Sequence, residues 1–198
     1  MIITMKNDRR LNNVSFEVRE NGEKETYIEG YALKFNEPSE DLGFIEYIDR
    51  RALDEAKMDN VVALLNHDSN FVLGRSGRNL ELEVDEVGLR FSVKPTDTSY
   101  SRDLIENMRS GLIDKCSFAF SLDYGSDEAD EWKKQEDGSY VRIIRKIDRL
   151  FDVSVVTTPA YEDTVALLST RSKKEFEKVQ FDRNRALEIM DMELDLWN

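Results

Sequence analysis

The stretch Lys115-Cys116-Ser117-Phe118-Ala119-Phe120-Ser121-Leu122 alternates with a period of two. In an extended chain Cys116, Phe118, Phe120 and Leu122 share one face, and Ser117, Ala119 and Ser121 share the other. One face is apolar and the other is small and polar. The pattern predicts a strand that buries one side and opens the other into a cleft. The plainer alternative is that the small residues fit beneath a neighbouring element.

Similar alternation recurs along the chain. Residues 14–18 and 26–35 alternate around Asn21-Gly22, which predicts a hairpin because both turn residues accept positive φ. Residues 80–84 and 88–93 predict a second hairpin. Residues 44–48 read as a short strand, after which Asp49 can cap a short helix through about Ala56. Val61-Val62-Ala63-Leu64-Leu65 is a continuous apolar run, expected as a strand buried on both faces. Residues 72–76 are a further strand or a turn. Asp97 or Thr98 opens a helix to about Arg109, with Leu104, Ile105 and Met108 on one face and Gly111 as its stop. Residues 125–139 read as a mobile surface loop around Trp132. Residues 140–147 and 149–157 are two more strands. Residues 173–197 carry apolar side chains at helical spacing among charges, an amphipathic helix for packing or for a partner. The expected fold class is mainly β with helices (α+β), in a domain over residues 1–170 with a helical tail over 171–198.

The chain has 198 residues, 40% hydrophobic and 35% charged, which suits one globular domain plus a tail. Its net charge of −13 disfavours nucleic acid as a partner. A single cysteine excludes an internal disulfide and agrees with a reducing cytoplasm. One cysteine and one histidine are too few soft ligands for a conventional zinc site, so no metal is expected. No glycine-rich nucleotide motif is present, and no cofactor is expected. No apolar run is long enough to span a membrane, and residues 1–7 lack the shape of a secretory signal.

Three side chains stand out for chemistry. Ser117 lies on the polar face of its strand. His67, the one histidine, sits where the apolar run 61–65 emerges, in Leu64-Leu65-Asn66-His67-Asp68. A buried strand is a rigid mount for a base; the bland alternative is a histidine on a surface loop. Asp152 is an inward carboxylate candidate in Leu150-Phe151-Asp152-Val153-Ser154-Val155-Val156. A nucleophile, a base and an orienting acid are the parts of an activated hydroxyl. Asp68 is a rival orienter, although a neighbour in sequence pairs poorly with His67. Cys116 is a rival nucleophile, but alternation sets it opposite Ser117, among the phenylalanines.

In their order these segments resemble the tailed-phage prohead (capsid maturation) proteases of the HK97 type. The matching pieces are Ile28-Glu29-Gly30-Tyr31-Ala32 with Phe35-Asn36, residues 46–52, Leu64-Leu65-Asn66-His67-Asp68, and Leu73-Gly74-Arg75. They continue with Gly88-Leu89-Arg90-Phe91, Asp97-Thr98, and Gly111-Leu112-Ile113 leading to Cys116-Ser117-Phe118-Ala119-Phe120. Val153-Ser154-Val155-Val156-Thr157 with Pro159-Ala160-Tyr161 completes the set. The resemblance implies a β-barrel flanked by helices, as in the herpesvirus assembly proteases. It implies a serine endopeptidase inside the assembling prohead, in the host cytoplasm. There it would cut the major capsid protein or its scaffold segment, and itself, within residues 169–198. The family histidine falls on His67 and the family serine on Ser117. The third position is commonly Glu in the family and is Asp152 here. Oxyanion donors would be backbone N–H groups, Arg145 or Arg149. The herpesvirus likeness implies a homodimer. The alternative is a non-enzymatic assembly or scaffolding protein built on a protease-like domain.

Overall fold

The computed structural model describes residues 8–12, 17–20, 26–123, 126, 128–157 and 178. In chain order the elements are β1 (Asp8–Asn12), β2 (Glu17–Glu20), β3 (Thr26–Lys34), β4 (Ile45–Ile48), β5 (Val62–Leu65), β6 (Asp68–Arg75), β7 (Leu80–Val84) and β8 (Gly88–Val93). Then follow α1 (Ser99–Arg109), β9 (Lys115–Ser121), β10 (Asp130–Lys134), β11 (Tyr140–Ile144) and β12 (Arg149–Val156). They form sheets ordered β1-β9-β12-β5-β6, β2-β3-β8-β7 and β10-β11-β4.

Local chemistry builds the second sheet. β2 and β3 pair antiparallel, with Glu20 opposite Thr26, and β7 and β8 pair across the Asp85 turn. There the Asp85 carboxylate accepts the Val87 and Gly88 N–H groups at 2.7 and 2.9 Å. Gly88 then passes so close to β3 that a Cβ would lie 2.0 Å from the Leu33 carbonyl oxygen. α1 starts where expected, because the Thr98 hydroxyl accepts the Ser101 N–H. Gly111 follows its end with φ +69°. One apolar cluster joins the three sheets and the helix, with Ile28, Phe91, Leu104, Phe118, Ile144 and Leu150 among its members.

Four expectations change. Residues 49–56 are successive turns rather than a helix. Their N–H groups bond three residues back, Ala52 to Asp49, Asp54 to Arg51 and Ala56 to Leu53. The carbonyl of Ala52, which a helix would offer to Ala56, accepts Ile147 N–H instead at 2.8 Å. Residues 130–134 are a strand rather than loop. Arg142, 1% exposed, anchors them: it donates to Asp130 at 2.6 Å and to Glu46 at 3.2 Å. Trp132 in turn packs edge-on against Phe44. Such buried charge needs partners, so the polar composition of this stretch reflects an ion cluster. β1 is a strand with no alternation to announce it. Finally, no sheet among the described residues closes into a barrel: β1 and β6 are opposite edges of the five-stranded sheet and do not pair. α1 is the one helical element among the described residues, so a ring of flanking helices is not found there. The expected C-terminal helix lies outside the described residues. None of the described helices is long and apolar enough to cross a membrane.

Gly88→Ala must displace the backbone of β3, since the obstacle is a carbonyl oxygen and not a mobile side chain. The expected cost is about 1–3 kcal/mol in urea unfolding, with the fold retained.

Candidate active site

β12 lies between β9 and β5, antiparallel to one and parallel to the other. Ser154 is directly opposite Ser117 on β9 and beside Leu64 on β5. Opposed residues present side chains to the same face. Asp152, opposite Ala119, therefore shares the face of Ser117. A bulge makes this compatible with a filled core. Leu150 pairs with Phe120 and Asp152 with Ala119, so Phe151 is the extra residue. Strict alternation would put Leu150 and Asp152 on one face. The bulge sends Leu150 into the core, fully buried, and leaves Asp152 on the serine side.

His67 arrives through a two-residue turn. Leu65 pairs with Asp68, and the intervening Asn66 and His67 have φ of 55° and 57°. Two positive φ angles are the signature of the turn that matches strand twist, and Asn accepts them readily while His does so at a cost. The turn is pinned to the end of β12. Asn66 N–H donates to the Val155 carbonyl at 2.8 Å, and the Asn66 side-chain oxygen accepts Thr157 N–H at 3.0 Å. A strained backbone held by its surroundings is common where side-chain aim matters.

The result is a chain of hydrogen bonds. Asp152 Oδ1 lies 2.6 Å from His67 Nδ1. His67 Nε2 lies 2.7 Å from Ser117 Oγ. A carboxylate can only accept, so Nδ1 carries the proton and Nε2 is left to accept from the hydroxyl. The sequence reasoning missed a fourth member. Ser154 Oγ donates to the same Asp152 oxygen at 2.7 Å, and Ser154 is 1% exposed. The Asp-x-Ser spacing on one strand face was the available signal.

The other candidates lie elsewhere. Asp68 turns onto its own strand, β6, and accepts the Asn70 backbone and side-chain N–H groups, each at 2.8 Å. Arg145 pairs with Glu131 and Asp49. Arg149 pairs with Asp59 and stands opposite Ser121, four residues along β9 from Ser117. Cys116 is fully buried on the core face, and that burial pushes its thiol well above the usual cysteine range. The open cleft expected over Ser117 is not found among the described residues: Ser117, Ala119 and Ser121 are 5%, 1% and 7% exposed, and Asp152 and His67 share the serine face.

Two outcomes follow. Iodoacetamide should leave Cys116 of the folded chain unmodified between pH 7 and 9, since the thiolate is suppressed there, and should react once urea unfolds it. Intact mass reads the difference. His67 is the one histidine, so its imidazole signals are unambiguous in NMR. Its Nδ1–H should be downfield and slow to exchange, and Asp152→Ala should abolish that signal.

Among solved structures, the chain is similar to the bacteriophage T4 capsid assembly protease gp21. The identity is 14% and the TM-score 0.48, over 76% of this chain and 99% of that one. No curated protein matches. The family model described as caudovirus prohead serine protease matches residues 14–179. With most of its length inside that match, and His67, Ser117 and Asp152 along with it, the chain belongs to the caudovirus prohead serine protease family.

Proposed function

We propose that Ser117, His67 and Asp152 are the catalytic residues of a serine endopeptidase that trims capsid protein during prohead maturation. The observation that carries this is the unbroken hydrogen-bonded line from carboxylate to imidazole to hydroxyl at 2.6 and 2.7 Å. Ser117 Oγ attacks the scissile carbonyl as His67 Nε2 takes its proton. The imidazolium that forms is stabilised by Asp152 through Nδ1–H. His67 then returns the proton to the leaving amine. Water repeats the sequence on the acyl-enzyme and frees Ser117. Asp152 is one methylene shorter than the Glu common at this position, and the hydrogen bond at 2.6 Å supports the same role for it.

The family supports the setting. Capsid protein with its scaffold segment is the proposed substrate, and the assembling prohead in the host cytoplasm is the proposed place. Residues 1–170 are the proposed protease unit and residues 171–198 a helical tail, with self-cleavage proposed within residues 169–198. A homodimer belongs to the same proposal.

The test is co-expression with the capsid protein of the same phage, read by intact mass. Wild type should remove a defined N-terminal capsid segment. Ser117→Ala and His67→Ala should abolish removal, and Asp152→Ala should slow it by about 10³–10⁴-fold. Unchanged cleavage by Ser117→Ala sinks the assignment. Altered particle assembly without cleavage by any variant favours the scaffolding alternative.

A further inference from the structure

The strand that carries Ser117 has two edges. β12 pairs along one of them, from Arg149 opposite Ser121 to Val156 opposite Lys115. β1 occupies the other, antiparallel, from Asp8 opposite Phe120 to Asn12 opposite Cys116. Leu11 is the residue directly across from Ser117. β1 is therefore a short extended peptide lying beside the nucleophile, held in register by backbone hydrogen bonds. It also lies outside residues 14–179, the span that matches the family.

A peptide that pairs beside β9 runs extended within one strand spacing of Ser117, about 4.8 Å. The inner edge is closed by β12, a central strand that also carries Asp152 and Ser154. The outer edge remains, and pairing there needs main-chain N–H and C=O groups alone. The catalytic side chains are also covered as they stand: Ser117 is 5% exposed, and the His67 side chain 2%. A substrate must displace something to reach them.

We infer that the outer edge of β9 is the peptide-docking edge, and that β1 is its resident occupant, which an extended substrate segment must replace. This rests on the protease reading above. The partner it fits is an unfolded, proline-free peptide of at least five residues that adds to the sheet as an antiparallel strand. The sequence between β1 and β2 is four residues, so β1 competes as a tethered ligand at an effective concentration of order millimolar. Such an occupant keeps the site closed to dilute peptide and yields to substrate packed at high local concentration.

The test uses the full chain carrying Ser117→Ala, so that nothing is cut. The probe is a fluorescein-labelled peptide with the sequence of residues 6–14. Adding Arg10→Pro to the chain removes a backbone N–H from β1. It should tighten probe binding by about tenfold or more in fluorescence anisotropy. A probe with proline at the position of Arg10, which pairs with Phe118, should not bind. Hydrogen exchange on the chain with Ser117→Ala alone supplies the second reading and does not depend on the proline variant folding. Saturating probe should strip protection from the amides of residues 8–12 while those of β9 stay protected. Equal affinity for both chains, or full protection of residues 8–12 at saturating probe, overturns the inference. Neither reading involves cleavage, so the docking edge can fail while the processing test succeeds, and the reverse.

Discussion

Everything at this site depends on the pairing of one strand on both its edges. β12 joins β9 antiparallel and β5 parallel, and the two registers meet at Ser154. A slip of one residue on either edge would turn every side chain to the opposite face. It would take Asp152 away from His67 and put a core valine in its place. The apolar side of the same strand guards against the slip. Val153 opposite Phe118, and Val155 opposite Cys116, are buried to within 2% of fully, and a shifted register would drive them out of the core. Hydrophobic burial on one face thus fixes the polar geometry on the other.

Two irregularities complete the arrangement. The bulge at Phe151 lets Leu150 and Asp152 face opposite ways, which regular pleating forbids. The turn at Asn66-His67 reverses the chain in two residues and stays bonded to β12 on the way. Each costs conformational energy, and each is over-determined by bonds to neighbouring strands. Residues 130–144 follow a different logic. There Arg142 is enclosed with Glu46, Asp130 and Trp132, and buried pairing of charge takes the place of apolar contact.

What the amino-acid sequence made legible is what neighbours in sequence decide. The Asp85 turn, Thr98 and Gly111 are local signals, and the β7–β8 hairpin and α1 stand where those signals put them; Asn21-Gly22 lies outside the described residues, and the strands on either side of it pair antiparallel. Ser117, His67 and Asp152 are singled out by residue type and by their motifs, and the structure brings those three side chains together. The bulge at Phe151, the strand β1 and the parallel pairing of β5 with β12 are set by distant partners, and no local pattern encodes them. The turns at 49–56 are of the same kind, since a carbonyl that a helix would use is taken by Ile147. Residues 125–139 misled because a polar stretch looks the same whether its charges are solvated or paired inside. Ser154 was visible in the motif as a residue but not as a hydrogen-bond donor, which only the register reveals.

The parallel pairing has a consequence in time. His67 and Asp152 are 85 residues apart in the chain, and the strand between β9 and β5 is the last strand described. Contacts of such long separation close late, because the intervening loop entropy is lost before they are made. A chain still emerging from the ribosome has Ser117 and His67 long before it has β12 to seat them. The hydrogen-bonded line of three residues is then among the final features to form, and an unfinished chain carries Ser117 and His67 without the strand that seats them.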